Sequence, residues 1–148
     1  MAKRKSKKDW KVYPTEEEFN SEDQLQAGCF KWFDQTFGSE FRGSLYHINN
    51  SPKHARDGNR LKALGMKAGT PDLFLSVPLF DLKYGGLYIE MKTDTGSLQP
   101  VQVKQMNVLT RFKNKCCVIC SLAHFKEVVM HWISLYRKEN DAKPHEVD

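Results

Sequence analysis

Apolar residues recur every three to four positions in several parts of the chain, which is the period of an amphipathic α-helix. The clearest case follows Ser21, where the residues that would form one apolar stripe are Leu25, Cys29, Trp32 and Phe33. Ser21 is expected to cap this helix, with Gln24 three residues later completing a capping box. Further helices are expected from about Ser97, over His124–Arg137 and, with a weaker pattern, over Asn59–Leu64.

Short apolar runs that are bounded by Gly, Pro and polar residues predict four strands. These runs lie at Ser44–Ile48, Asp72–Val77, Leu87–Lys92 and Cys116–Ser121. In chain order the main elements therefore alternate as α-β-β-β-α-β-α. This order is typical of the α/β class, in which a mixed four-stranded sheet is flanked by helices.

Positive charge is concentrated in two segments of a chain whose net charge is +5. Residues 1–11 carry a local charge of +5 and residues 49–69 carry +4, so the rest of the chain is acidic. Two basic segments favour a polyanionic partner such as DNA, and the alternative is a solubilising tail followed by a solvated loop. Residues 1–20 are interpreted as a mobile basic arm and residues 139–148 as a polar tail, on either side of one domain at residues 21–138.

The sequence also predicts a soluble protein that has no membrane partner. No apolar run approaches the roughly 18 residues of a membrane span, and the lysine-rich start leads into Asp9 and Trp10 rather than into an apolar stretch. Cys117 and Cys120 have the spacing of a zinc-binding pair, but no second pair accompanies them. Reduced cysteines within an apolar strand agree with a cytoplasmic location.

Three residues that suit phosphodiester chemistry lie on the two central predicted strands. Asp72 opens one strand, and Glu90 and Lys92 share one face of the next because side chains alternate along a strand. If the strands pair, both carboxylates meet at one end of the sheet and suit a hard divalent cation such as Mg²⁺. A lysine beside them can orient a water molecule and stabilise charge on a phosphate. The alternative is a solvated pair of Glu90 and Lys92 on the surface.

The residues around this trio extend the pattern. They read Gly69-Thr-Pro-Asp72 before Leu-Phe-Leu, then Gly86-Leu-Tyr-Ile-Glu-Met-Lys92, then Gly96-Ser97 and Gln102. This combination resembles the VRR-NUC family of the PD-(D/E)xK nuclease superfamily, in particular its small stand-alone phage and bacterial members. The resemblance runs from about Glu22 to about Trp132 and implies a restriction-endonuclease-like core.

The resemblance implies a metal site and the residues that build it. Asp72 and Glu90 would bind Mg²⁺ or Mn²⁺ together with the backbone carbonyl of Met91. Lys92 would position the attacking water and stabilise the charge that develops on the phosphate. Glu22 corresponds to a helix-borne acid that reaches the metal directly or through water, and the alternative is stabilisation of the helix dipole.

Residues outside this trio are expected to support the site and to contact DNA. Gln102 matches a glutamine that forms a hydrogen bond into the site, with a satisfied amide at the core boundary as the alternative. The run His47-Ile48-Asn49-Asn50 also suggests a nuclease of the His-Asn-His kind, which nothing else in the sequence supports. The residues expected to contact DNA, mainly at its phosphates, are Asn49, Asn50, Lys53, His54, Arg56, Arg60 and Lys62.

The predicted activity is hydrolysis of DNA phosphodiester bonds by a Mg²⁺- or Mn²⁺-dependent endonuclease. The small stand-alone members resemble Holliday-junction resolvases, so a four-way junction is the expected substrate and a homodimer the expected assembly. Exposed members of the set Phe80, Tyr84 and Trp132 would form the contact between subunits. Two alternatives stay open: a nuclease acting on flaps, nicks or single-strand ends, and a non-catalytic nucleic-acid-binding module on the same fold.

Overall fold

Helices and strands alternate along the part of the chain that the computed structural model describes, residues 19, 21–50, 54–93 and 96–141. Two predictions from the sequence fall outside these residues. They are Lys53 and the basic arm at residues 1–20, of which only residue 19 is described. The elements in order are α1 (Glu22–Phe37), β1 (Leu45–His47), α2 (Ala55–Ala63), β2 (Leu73–Leu75), β3 (Leu87–Met91), α3 (Pro100–Arg111), β4 (Lys115–Ile119) and α4 (Leu122–Asp141).

The four strands form one mixed sheet in the order β1-β2-β3-β4. The β1–β2 and β2–β3 pairs are antiparallel, whereas β3 and β4 are parallel and are joined through α3. The predicted fold class, a mixed four-stranded sheet flanked by helices, is confirmed. Because of these directions, the ends of β1, β3 and β4 and the start of β2 meet at one end of the sheet, here called the site edge.

The two faces of the sheet have different environments. Leu73, Ile89 and Met91 are at most 1% exposed and point toward α1 and α4, whose apolar residues complete the core. This side is called the core face. Side chains alternate along a strand, so Phe74 and Tyr88 point to the opposite side, called the site face. Only α3 packs there among the described helices, next to the edge strand β4.

Helix α1 follows the sequence prediction closely. Ser21 is the N-cap, and its Oγ accepts a hydrogen bond from the backbone N–H of Gln24 at 3.2 Å. Leu25, Cys29 and Phe33 are buried as one stripe of the helix, and Trp32 beside them is half-buried against the core. Burial raises the pKa of Cys29 to about 12, so this thiol stays protonated at neutral pH and packs as a small apolar side chain. The predicted cap and stripe are both confirmed.

Helix α3 differs from the prediction in its start and in its packing. It begins at Pro100 after Gln99, rather than near Ser97, because proline suits the first helical position, where no N–H is needed. Val101 and Phe112 lie on the mostly apolar face of this helix but are 45% and 67% exposed. The physical reason is that α3 covers only the outer part of the sheet, so none of its residues is fully buried.

The other helices are longer than predicted. Helix α2 begins at Ala55 rather than at Asn59, and α4 continues past Arg137 to Asp141. Glu139 had been placed in the polar tail, yet it is buried, and its carboxylate accepts hydrogen bonds from the backbone N–H groups of Phe80 and Asp81 at 2.9 and 3.2 Å. These bonds tie the last turn of α4 to the connection between β2 and β3. Over the described residues, no helix has the length and apolar character needed to cross a membrane.

Candidate active site

Asp72 and Glu90 lie side by side at the site edge. The antiparallel register pairs Leu73 with Ile89, which places Asp72 opposite Glu90 on the neighbouring strand. The Asp72 Oδ2 atom accepts a hydrogen bond from the backbone N–H of Met91 at 2.8 Å. The structure therefore brings together the two acids that the sequence predicted as a pair.

The Gly-Thr-Pro-Asp segment is shaped by its contact with α3. Gly69 has a φ of +80°, a region that favours glycine. A Cβ atom at this position would collide with the backbone of Val101 and with the N–H of Gln102. Pro71, two residues later, is buried. This close approach holds the segment that leads into β2 against the first turn of α3, the turn that carries Gln102.

Glu90 is held by a lysine and an amide. Its side chain is almost fully buried, the Lys92 Nζ atom lies 3.1 Å from Glu90 Oε1, and Gln102 Nε2 donates to the same oxygen at 2.5 Å. The Gln102 Oε1 atom accepts from the backbone N–H of Gln99 at 2.8 Å, which fixes the amide at the start of α3. Gln102 therefore orients Glu90 while it caps its own helix.

Glu22 joins the cluster through Lys92. It occupies the first turn of α1, and its Oε1 atom lies 4.0 Å from Lys92 Nζ. Its side chain is 44% exposed, so solvent screens this ion pair. The structure thus brings Glu22 near the predicted site, at its solvent side, and both interpretations of this residue from the sequence, metal contact and helix-dipole stabilisation, fit its position.

Burial and crowding change the acidity of both carboxyl groups. Removal of Glu90 from solvent raises its pKa from 4.5 to about 7, and the nearby charge of Asp72 adds to the effect, although Lys92 opposes it. Burial also raises the pKa of Asp72, against the hydrogen bond from Met91 and the charge of Lys92. A bound cation would favour the charged form of both groups.

The oxygen atoms available here suit a hard divalent cation. Within the described residues, no three His, Cys, Asp or Glu side chains converge to form a complete metal cluster. Asp72 and Glu90 would supply one carboxylate each. Proteins commonly bind Mg²⁺ through one or two carboxylates, because this ion retains several water ligands. The predicted carbonyl of Met91 belongs to the residue whose N–H already binds Asp72. The residues present therefore fit Mg²⁺ or Mn²⁺.

The residues predicted to contact DNA separate into two groups. His54, Arg56, Arg60 and Lys62 are exposed on or beside α2, in the connection that leaves β1 and returns to β2 at the site edge. In contrast, Asn50 uses its Nδ2 atom to donate to the carbonyl of Thr70.

The Asn50 bond ties the two ends of the α2 connection together. Asn49, next to it, is exposed. The basic side chains of α2 are thus exposed to solvent on a connection whose two ends lie at the site edge, and Asn50 has a structural role in addition to any contact with DNA.

His47 and Gln26 are parts of the site that the sequence did not predict. The His47 Nδ1 atom lies 3.1 Å from the carbonyl oxygen of Asp72 and 3.1 Å from Gln26 Nε2. His47 ends β1, where the register places it opposite Leu73. It therefore links α1 to the backbone at Asp72. Only the pairing of β1 with β2, which the sequence does not specify, could have identified this role.

Comparisons with known proteins support the fold. No family model matches the chain, and no curated protein matches it. A solved structure described as a VRR_NUC domain protein superposes with a TM-score of 0.66 at 22% sequence identity, over 80% of this chain and 92% of the other. At this identity the likeness establishes a shared fold. The restriction-endonuclease-like core implied by the sequence resemblance is thereby confirmed.

Proposed function

We propose that the chain is a metal-dependent endonuclease that hydrolyses phosphodiester bonds in DNA. The observation that carries this proposal is the pair formed by Asp72 and Glu90, with Lys92 3.1 Å from Glu90, at one end of the sheet. A buried carboxylate beside a second acid is costly unless it has a function or a partner. The motifs that resemble VRR-NUC nucleases lie on the same residues, and the fold agrees.

Each residue would have a distinct role in the reaction. A bound Mg²⁺ or Mn²⁺ would polarise the scissile phosphate and lower the pKa of a bound water. Asp72 and Glu90 would hold this ion, and the carbonyl of Met91 would complete the protein ligands. Lys92 would donate to the phosphate oxygens as negative charge builds up in the transition state. Gln102 would keep Glu90 in one orientation throughout, since its amide is fixed at both ends.

The basic α2 connection would hold the DNA backbone. Its arginines and lysines are exposed to solvent, and both ends of the connection lie at the site edge, so these residues would contact the phosphates of DNA that crosses this edge. Contacts of this kind set position and affinity rather than sequence preference. Glu22, on the solvent side of Lys92, would reach the metal through water.

A four-way junction as substrate and a homodimer as the active assembly remain part of the proposal. Two coordinated cuts require two sites, and a two-fold dimer matches the symmetry of a junction. The aromatic residues named as the subunit contact need a correction. Trp132 is buried and its Nε1 donates to the carbonyl of Val77 at 2.8 Å, while Tyr84 packs on Trp132 with ring centroids 5.8 Å apart. Phe80, at 61% exposure, is the member of that set that a second subunit could contact.

The activity is tested by incubating the purified protein with Mg²⁺ or Mn²⁺ on linear, flap, nicked and four-way DNA. Asp72→Asn, Glu90→Gln and Lys92→Ala should each lower the rate by about two orders of magnitude or more, which corresponds to about 3 kcal/mol of lost transition-state stabilisation. Glu40→Gln is the matched control, because Glu40 is an exposed acid that pairs with Arg137 away from the site.

Two results would decide against the proposal. Wild-type rates in the Asp72→Asn and Glu90→Gln proteins would show that this site does not cut DNA. Binding to DNA without any cut, under every metal and substrate tried, would favour the non-catalytic binding module instead. Cleavage confined to flaps by a monomer of about 17.2 kDa would keep the nuclease and remove the junction and the dimer.

A further inference from the structure

A row of aromatic side chains crosses the site face of the sheet. Tyr46 on β1 pairs with Phe74 on β2, and Phe74 pairs with Tyr88 on β3. The ring centroids of Tyr46 and Phe74 are 5.7 Å apart, and those of Phe74 and Tyr88 are 4.4 Å apart. Tyr88 in turn pairs with Cys116, whose Sγ contacts the carbonyl of Met106 in α3. The three rings, here called the aromatic row, thus run from the edge strand β1 toward α3.

The aromatic row lies directly beside the carboxylate pair. Tyr88 precedes Glu90 by two residues and Phe74 follows Asp72 by two, so each ring shares a face with its neighbouring acid. Two residues along a strand span about 7 Å. This separation is comparable with the step between neighbouring nucleotides of an extended strand. A phosphate at the carboxylates would therefore place an adjacent nucleotide over the row.

The core does not account for the aromatic row. None of its three rings belongs to the buried cluster between the sheet and helices α1 and α4. Tyr46 is 45% exposed on an edge strand, and the other two rings are half-buried. Glycine at position 86 leaves room for the Phe74 ring, because a Cβ atom at this position would collide with that ring. The three rings of the row therefore pack against one another, and the outermost ring, that of Tyr46, is accessible to solvent.

We propose that the aromatic row binds an unpaired nucleobase of the strand whose phosphate lies at Asp72 and Glu90, with the ring of Tyr46 as the stacking surface. Every base has a face that can stack on an aromatic ring, but a base inside a continuous duplex is already stacked on its neighbours. The row would therefore favour flaps and other substrates that have unpaired nucleotides next to the cut, which are the alternative substrates, over a fully paired four-way junction.

Charge supports a nucleic acid as the occupant rather than an apolar peptide. The α2 connection continues directly from β1, the strand of Tyr46, and carries Arg56, Arg60 and Lys62 exposed to solvent. The segment that follows the strand of Tyr46 therefore carries exposed positive charge, which attracts the phosphates of a nucleic acid and gives no advantage to an apolar peptide. This inference rests on the proposed nuclease function, because it takes the carboxylate pair as the position of the phosphate.

The test measures binding of full-length protein in EDTA, where no metal-dependent cut occurs. A flap substrate carries 2-aminopurine at successive positions of its single strand, and stacking on a tyrosine quenches its fluorescence. Tyr46→Ala should weaken the Kd for this substrate at least about fivefold, the equivalent of about 1 kcal/mol at the low end of one base stack. The quenching at one position should disappear. Affinity for a blunt duplex should stay unchanged.

Two control variants separate stacking from other effects. Tyr46→Phe keeps the ring and should retain both affinity and quenching. Phe112→Ala removes an aromatic side chain that is 67% exposed at the C-terminal end of α3, the end opposite Gln102, and should change neither. Circular dichroism and thermal unfolding check that each variant is folded. The proposal is wrong if Tyr46→Ala leaves the flap Kd and the quenching unchanged, or if it weakens flap and duplex equally.

The stacking site and the nuclease can fail independently. If Tyr46→Ala has no effect while Glu90→Gln abolishes cleavage, the aromatic row is not a base site and the nuclease proposal stands. If the wild-type protein never cuts DNA but loses flap affinity with Tyr46→Ala, the base site stands on a non-catalytic protein. If Tyr46→Ala changes only the mass in solution, the row is a contact between copies of the chain and the base site is refuted.

Discussion

The stability of the metal-free protein should fall as the pH rises from about 4.5 to above 7, and Glu90 should be the main cause. Its pKa is 4.5 in an unfolded chain and about 7 in the folded protein. Within this range the unfolded chain has lost the proton while the folded protein keeps it. The unfolded state therefore binds fewer protons, and the free energy of unfolding decreases with pH.

The size of the effect follows from the two pKa values. Their difference corresponds to about 3 kcal/mol, with one pKa unit equal to about 1.4 kcal/mol. Glu90 is only 2% exposed, so solvent does little to reduce this figure. Asp72, whose pKa is also raised, adds a contribution of the same sign. A change of 1 kcal/mol moves the melting temperature of a domain this size by roughly 2–4 °C, so Glu90 alone should shift it by roughly 6–12 °C.

The assay is urea unfolding in EDTA at pH 4.5 and pH 8, with thermal unfolding as a second measure. Glu90→Gln cannot ionise and should lose most of the dependence on pH, so that it is more stable than the wild type at pH 8 but not at pH 4.5. Glu40→Gln, which removes an exposed acid, should behave as the wild type. Excess Mg²⁺ should restore stability chiefly at high pH, where the carboxylates are ionised and binding adds to stability by mass action.

The reasoning would be refuted by two results. Stability that rises with pH across this range would mean that the folded protein favours ionised Glu90, contrary to the effect of burial. An unchanged dependence on pH in Glu90→Gln would mean that another group is responsible. Either outcome would leave the geometry of the site intact but remove the electrostatic argument for a cation between Asp72 and Glu90.

Further predictions follow from contacts within and around the site. Gly69→Ala should destabilise the fold by about 1–3 kcal/mol in urea unfolding, and by more than Gly65→Ala does. Both glycines have a positive φ, but only at Gly69 would the added Cβ collide with a neighbour, so equal losses would contradict this. Gln102→Leu should lower the cleavage rate by about tenfold or more with little change in substrate affinity, and a change in KM alone would argue against its orienting role. Replacing Arg56 and Arg60 together with Gln should reduce the slope of log K against log salt by about 1.8, and an unchanged slope would show that α2 does not contact phosphates. Ca²⁺ in place of Mg²⁺ should support DNA binding with little cleavage, as seen in gel-shift and nicking assays, and full activity with Ca²⁺ would contradict the proposed role of the metal.

Local patterns predicted those parts of the fold that depend on neighbouring residues. The Ser21 cap and the α1 stripe need only the spacing of side chains within one helix, and both were correct. The meeting of Asp72 and Glu90 needed one further assumption, that two adjacent apolar strands pair, and the register confirms it.

Features that depend on distant packing could not be predicted in this way. Phe112 lies on an apolar face of α3, but it is exposed because α3 covers only the outer part of the sheet. Trp132 was among the residues expected to contact a second subunit, but its indole N–H donates a hydrogen bond to the carbonyl of Val77, 55 residues earlier. His47 gains its contact with the Asp72 carbonyl from the pairing of β1 with β2. In each case the deciding neighbour comes from another part of the chain, so periodicity carries no information about it.

The bonds from Glu139 to the β2–β3 connection have a consequence for the order of events during synthesis on the ribosome. The backbone N–H of Phe80 donates to the carboxylate of Glu139, which the ribosome adds 59 residues later. At about 5–20 residues per second, this interval lasts roughly 3–12 seconds. The β2–β3 hairpin, which contains both acids, can form from residues close in sequence well before that time. Its turn, however, gains this anchor only when the last turn of α4 arrives. A nascent chain should therefore expose a partly formed hairpin for seconds, a period in which chaperone contacts and errors of strand pairing would have their greatest effect.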